Sequence, residues 1–284
     1  MSKRLTVAIV TRNRPTNLAL LLESLRQQTY TDWDLFIIDD ASDNHRPDDT
    51  FIINRIVDEI KFAGHAVRIF RMDKNIGVCG CRNAVYDKIE TELVFDANDD
   101  HVWERDMLEN LVNVFDDENV GAACSCTPFI GLQIYNFIDR NGVRPKRYKL
   151  PTERAKEFNT AYVKDNSICM TRDVDFIYLD EHAQVESTPI EITHGSQFMM
   201  RKELFSKSPE GYSPLAFTEE SDLSLRIKEK GYKVMFVPNA MNWHFQTPHS
   251  GTRGHSKEQL VKWQQEDYRL FNSNWYSKIE GWNK

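Results

Sequence analysis

Short apolar runs alternate with helix-period stretches through the first half of this chain, and that alternation restricts its fold more than any other feature. Residues 5–10, 35–38, 67–70, 93–95 and 120–124 are strand-length and rich in apolar or β-branched residues. Between the first two, Leu18, Leu21, Leu22 and Leu25 fall at i, i+3, i+4 and i+7, which marks a helix burying one face. Further helices are predicted over 78–89 and 107–115. Apolar strands separated by helices indicate a parallel sheet covered on both sides. The predicted fold class is therefore α/β, a mostly parallel sheet flanked by helices, with right-handed crossovers. Periodicity lapses over 127–190, then returns with an apolar run at 198–200, a helix at 222–230 and a strand at 234–237. The final 28 or so residues read as a helical C-terminal extension.

Composition excludes several classes. With 284 residues, 40% of them hydrophobic and 11% aromatic, the chain can bury a full core. A formal net charge of −7 disfavours tight non-specific binding to nucleic acid. The run Arg144–Lys149 is either a solvated loop or a local basic patch. Cysteines stand at 79, 81, 124, 126 and 169, an odd number with one-residue gaps that suit neither a disulfide framework nor a structural zinc site. Small buried thiols in a reduced compartment are expected. No leader-like or membrane-spanning apolar stretch is evident, so a cytoplasmic protein is expected.

Two of the strands end in acidic pairs, Asp39-Asp40 and Asp99-Asp100. In open α/β sheets, ligands sit outside the carboxyl ends of the strands. Adjacent aspartates repel one another there, and Mn²⁺ or Mg²⁺ would remove the repulsion because both take carboxylate and phosphate oxygens. A solvated loop start is the plain alternative. No G-x-G-x-x-G turn follows the first strand and no P-loop is present. A nucleotide at this edge would be held by carboxylates and a metal instead of a glycine cradle.

Six segments, in order, carry a resemblance. They are Val10-Thr11-Arg12-Asn13-Arg14-Pro15, Gln28-Thr29-Tyr30 with Asp34 to Ser42, Asn75-Ile76-Gly77 with Cys81-Arg82-Asn83, Ala97-Asn98-Asp99-Asp100, Gly195 to Lys202, and Glu219 to Arg226 followed by Gly231-Tyr232. Together they resemble the family 2 glycosyltransferases, inverting enzymes with the A-type nucleotide-sugar-binding fold. Arg12 replaces a common tyrosine, and Glu220 replaces a common aspartate.

The resemblance implies a catalytic domain over residues 1–245. Residues 1–125 would bind the nucleotide sugar and 126–245 would form the acceptor side. A mobile loop and helical extension over 246–284 would follow, with residues 246–256 able to close over the donor. Thr11, Arg12, Asn13, Asp40 and Asp99 would contact the donor nucleotide, most readily UDP-linked. Asp100 would coordinate Mn²⁺ or Mg²⁺. Arg82 would either touch the nucleotide or pair with an aspartate in the interior. Glu220 would be the catalytic base, with Glu219 and Asp222 as support or substitutes. His244 would be either a metal ligand or a structural histidine.

Two other readings compete. One is a nucleotide-sugar-binding relative without turnover, and the other is a sugar nucleotidyltransferase, which should carry a glycine-rich loop that residues 11–15 lack. The acceptor is open among a glycan, a lipid-linked sugar, a protein, a small molecule and a modified nucleic acid. The aromatic tail, with Trp263, Tyr268, Phe271, Trp275, Tyr276 and Trp282, would pack back on the domain, form a homo-oligomer interface or touch a membrane surface.

Overall fold

A computed structural model describes residues 3–43, 46–127, 159–164, 167–172, 186–193, 197–245 and 255–282. The basic run at 144–149, Gly195-Ser196 and most of the expected closing loop lie outside the described residues.

The predicted strands are present: β1 (Leu5–Thr11), β2 (Trp33–Asp39), β3 (Val67–Arg71), β4 (Leu93–Asn98) and β6 (Val120–Cys126). Strands β3, β2, β1 and β4 lie side by side and parallel. Beyond β4 the sheet changes character. Strand β10 (Gln197–Arg201) runs antiparallel between β4 and β6, and β11 (Lys233–His244) runs parallel to β6. Two short strands, β5 (His101–Trp103) and β9 (Thr188–Ile190), pair antiparallel with β11. A separate hairpin joins β7 (Asn159–Lys164) to β8 (Ser167–Arg172).

Helices cover both faces. On one side, α1 (Pro15–Arg26), α2 (Phe51–Phe62) and α4 (Met107–Asn113) place Leu18, Leu21, Ile53, Val57, Met107 and Leu111 against Val7, Ile9, Leu35, Phe95 and Ala97. On the other, α3 (Gly77–Val85) and α5 (Glu219–Glu229) set Cys81, Val85, Leu223 and Ile227 against Ala8, Val94, Cys124 and Phe198. Alternation along β4 decides which residue faces which layer. Phe95 and Ala97 enter the first, while Val94 and Asp96 face the second, where α3 carries Arg82.

The C-terminal helix α6 (Lys257–Trp282) buries Asp267, Phe271, Trp275 and Ile279, one residue every turn. Its apolar members pack with Leu225 of α5, Ile192 and Ala161. Among the readings of the tail, packing onto the body accounts for Phe271 and Trp275. No helix among the described residues is long and apolar enough to cross a membrane.

Two of the boundaries that moved bear on the site. Helix α5 begins at Glu219, three residues before the predicted start, because Thr218 terminates the preceding turn and three acidic residues occupy the first helical turn. Strand β11 continues past Val237 through an irregular register to His244, which therefore lies on a strand and not in the following loop.

Candidate active site

Two adjacent carboxylates, a guanidinium and two imidazoles converge where β4 ends. Thr11, the last residue of β1, donates from Oγ1 to Asp99 Oδ2 at 2.7 Å. Arg14, in the turn before α1, sends one nitrogen to both carboxylates, 2.8 Å from Asp99 Oδ1 and 3.1 Å from Asp100 Oδ2. The repulsion expected between the aspartates is thus relieved here by a side-chain cation.

On the far side of Asp100 stand His101 and His244. They are register partners in the β5–β11 pair, so their rings stack with centroids 4.4 Å apart. His244 Nε2 lies 3.2 Å from Asp100 Oδ2, and His101 Nδ1 lies 3.4 Å from Asp100 Oδ1. The ligand atoms of Asp100, His101 and His244 all fall within 4.8 Å of one another. One carboxylate and two imidazoles in that space form a donor set that fits a divalent transition-type cation.

Burial and neighbours divide the charges. Burial, reinforced by the proximity of His244, pushes His101 down to about 4, which leaves a neutral imidazole with a lone pair at neutral pH. Asp99 is raised to about 6, chiefly by burial, with the Asp100 charge adding to the rise and Arg14 opposing it. Burial also acts on Asp100, but the hydrogen bonds to His101 and His244 hold it well below the usual carboxylate range. Of the pair, Asp100 is the permanently ionised member.

The expected nucleotide-side residues occupy the turns beside this cluster. Asn13, with φ of +55°, donates its backbone N–H to the Ser42 hydroxyl oxygen, and its side-chain oxygen accepts the Asp43 N–H. Arg12 lies over the same loop, 3.3 Å from Asp43. These contacts stitch the end of β1 to the end of β2. Asp40 turns the other way, toward α3, and its two oxygens accept the N–H groups of Ile76 and Gly77 at 2.7 and 2.9 Å. It thus satisfies donors at the start of α3 that the helix itself leaves open.

Arg82 is spent inside the protein. Only 2% exposed, it pairs with Asp96 and, at 2.8 Å, with Glu219, and Tyr86 donates to the other Asp96 oxygen. The interior pairing is therefore the reading of Arg82 that the geometry supports. Glu219 is committed to the same buried group, and burial followed by the charges of Glu220 and Asp96 outweighs Arg82 in raising its pKa. Asp222 is committed as well, since it accepts the Trp275 indole N–H at 2.7 Å and pairs with Arg226 at 2.7 Å. Of the three acidic residues in this turn, only half-buried Glu220 has no cation paired with its carboxylate among the described residues. Its backbone carbonyl is held by the Ser224 hydroxyl at 2.7 Å.

Sequence reasoning passed over His101, Arg14 as an ion-pair partner, and Asp96. Each had a signal. His101 directly follows Asp100, Arg14 sits at the same sheet edge, and Asp96 is a lone carboxylate inside an apolar strand, which demands a buried partner.

Solved structures with this architecture include a mannosyltransferase from Pyrobaculum calidifontis in complex with GDP-Man and Mn²⁺. It has a TM-score of 0.59 and 18% identity over 88% of this chain and 59% of that one. GalNAc-T7 with UDP, GalNAc and Mn²⁺ gives 0.60 and 17%, covering 92% and 48%. Staphylococcus aureus TarS, residues 1–349, with UDP-GlcNAc gives 0.56 and 13%, covering 89% and 61%. The chain spans between about half and three-fifths of the length of these structures, and at such identities the likeness establishes the fold. No curated protein matches in sequence. The family model described as Glycosyl transferase family 2 matches residues 6–208, most of the chain, and the protein belongs to that family.

Proposed function

We propose that the protein is a metal-dependent inverting glycosyltransferase that moves a sugar from a nucleoside-diphosphate donor, UDP-linked by preference, to an acceptor hydroxyl. The observation that carries this reading is the pairing of two features. One is a carboxylate–imidazole cluster at the end of β4, and the other is Glu220 at the start of α5, whose carboxylate neighbours Glu219 and pairs with no cation among the described residues. Asp100, His101 and His244 would hold the cation, and the two imidazoles favour Mn²⁺ over Mg²⁺, which prefers an all-oxygen shell. The bound cation would stabilise negative charge on the departing nucleoside diphosphate.

The remaining steps belong to the chain's own residues. Thr11 and Asp99 face the ribose end of the donor, with Arg12 and Asn13 at the base. The Asp40 oxygens, which accept the Ile76 and Gly77 N–H groups and the Cys81 thiol, keep one lone pair for a base N–H. Glu220 takes the proton from the acceptor hydroxyl as its oxygen attacks the anomeric carbon. Glu219 and Asp222 support it from buried ion pairs and do not exchange protons with the acceptor. The partners of this reading are a nucleotide-sugar donor and an acceptor that presents a hydroxyl.

The test is a melting series with UDP, GDP, CMP and dTDP, each with and without Mn²⁺. A ligand at about 100 times its Kd adds about 2.7 kcal/mol. One nucleotide should raise the melting temperature only with Mn²⁺, and Asp100→Asn should abolish the rise. Glu220→Gln should keep the rise and lose nucleotide release from the matching sugar nucleotide. No rise with any nucleotide overturns the donor site. Normal turnover in Glu220→Gln overturns the base.

A further inference from the structure

The loop leading into α5 is held from outside by the C-terminal helix. Asp267 of α6 is fully buried, and its carboxylate accepts three hydrogen bonds from that loop. They come from Ser213 N at 2.7 Å, Ser213 Oγ at 2.7 Å and Phe217 N at 2.9 Å. Two turns along α6, the Trp275 indole donates to Asp222 Oδ1 at 2.7 Å. Glu219 and Glu220 therefore lie in a segment clamped at both ends, by Asp267 before them and Trp275 after them. Between the clamps the Ser213 hydroxyl also takes the Ala216 N–H at 3.1 Å, and Ala216 adopts a left-handed φ of +48°. A non-glycine residue holds that conformation only when its surroundings over-determine it.

We propose that Asp267 is a positioning residue for Glu220, so that α6 belongs to the catalytic apparatus although it contributes no group to the reacting atoms. The proposal rests on the reading of Glu220 as the base. A carboxylate is suited to this task. It accepts all three donors at once, whereas an amide would present its own N–H₂ to one of them. Apolar packing of α6 is already supplied by Phe271, Trp275 and Ile279, so what Asp267 adds is the fixing of the loop itself.

Asp267→Asn and the milder Ser213→Ala, which keeps the backbone bonds, test this in the full chain. Three quantities are measured below the unfolding temperature of each variant. They are UDP binding with Mn²⁺, the rate of nucleotide release from the sugar nucleotide that wild type turns over, and hydrogen exchange by mass spectrometry. Asp267→Asn should lower kcat by about 100-fold, the scale of a misplacement near 1 Å, with nucleotide Kd changed less than about threefold. Ser213→Ala should show a smaller loss of the same kind. Exchange should quicken in residues 213–222 and stay slow in β1 and β4.

A wild-type kcat in both variants overturns the proposal, as does unchanged exchange over 213–222. A lower melting temperature with normal kcat makes Asp267 an anchor only, which also overturns it. If wild type binds no nucleotide, the reading of the site itself has failed, and faster exchange over 213–222 would then report a brace without a catalytic role.

Discussion

Replacing Arg82 by methionine is the sharpest probe of the interior beneath the site. The guanidinium is 2% exposed and balances Asp96 and Glu219, both nearly as buried. Methionine fills similar space but strands two carboxylates in a low-dielectric interior. Their cheapest escape is to take up a proton. Burial already raises Glu219 well above the usual range in the wild type, so the added proton falls on Asp96. Holding that carboxyl protonated costs about 1.4 kcal/mol for each pH unit above an ordinary pKa near 3.9, so the penalty is about 4 kcal/mol at pH 7 and about 1.5 kcal/mol at pH 5. The sign follows from the direction of the shift. Burial already raises Asp96 in the wild type while Arg82 opposes it. Without Arg82 its folded-state pKa rises further, so stability is retained at low pH and lost as pH climbs. Urea unfolding at pH 5 and pH 7 should show a deficit growing by about 2.5 kcal/mol between them. Adding Asp96→Asn and Glu219→Gln should recover most of the loss by removing the stranded charges. A deficit below about 1 kcal/mol at pH 7, or one equal at both pH values, would refute the buried ion group as a balanced unit.

Two further outcomes follow from the site and its supports. Arg14→Met removes the guanidinium that shares Asp99 and Asp100, so Mn²⁺ alone should bind the variant at least about tenfold more tightly in a magnetic-resonance titration. Unchanged or weaker binding would show that Arg14 does not compete with the cation. In Gly77→Ala, a Cβ would stand 2.6 Å from Pro214 Cα on a backbone with φ of +73°. The left-handed conformation alone costs about 1–2 kcal/mol. The clash adds to it, and thermal unfolding should register a loss of at least about 3 kcal/mol.

Much of the parallel half was legible because β1, β2 and β4 each hold a continuous apolar run of three residues or more and α1 carries an unbroken i, i+3, i+4, i+7 stripe. Helix α2 was not read, although Ile53, Val57 and Ile60 face the core, because Phe51, Ile52 and Phe62 stand exposed and blur its face. Strands β5 and β9 have three residues each, too short for a period-2 signal. In the site, Asp99 and Asp100 were legible as neighbours in sequence. The partnership of His101 with His244 was not, because it depends on β11 running past its irregular register to meet β5. Arg82 offered two fates on paper, and only the parity of Asp96 on β4 settles which face it serves. Asp267 carried no motif at all. Its importance comes from a helix packing more than 40 residues downstream of the turn it holds.

The position of β10 sets an order on how the molecule can be completed. This strand bonds to β4 on one side and β6 on the other, yet it is made about 70 residues after β6. Until residue 201 has been synthesised, β4 presents an open ladder of backbone donors and acceptors in the middle of the future sheet. Open strand edges are templates for pairing with other chains, and long-range closures of this kind are slow. Chains cut before β10 should therefore self-associate. Chains cut after β11 would close the sheet but leave the turn before α5 without its buried carboxylate clasp.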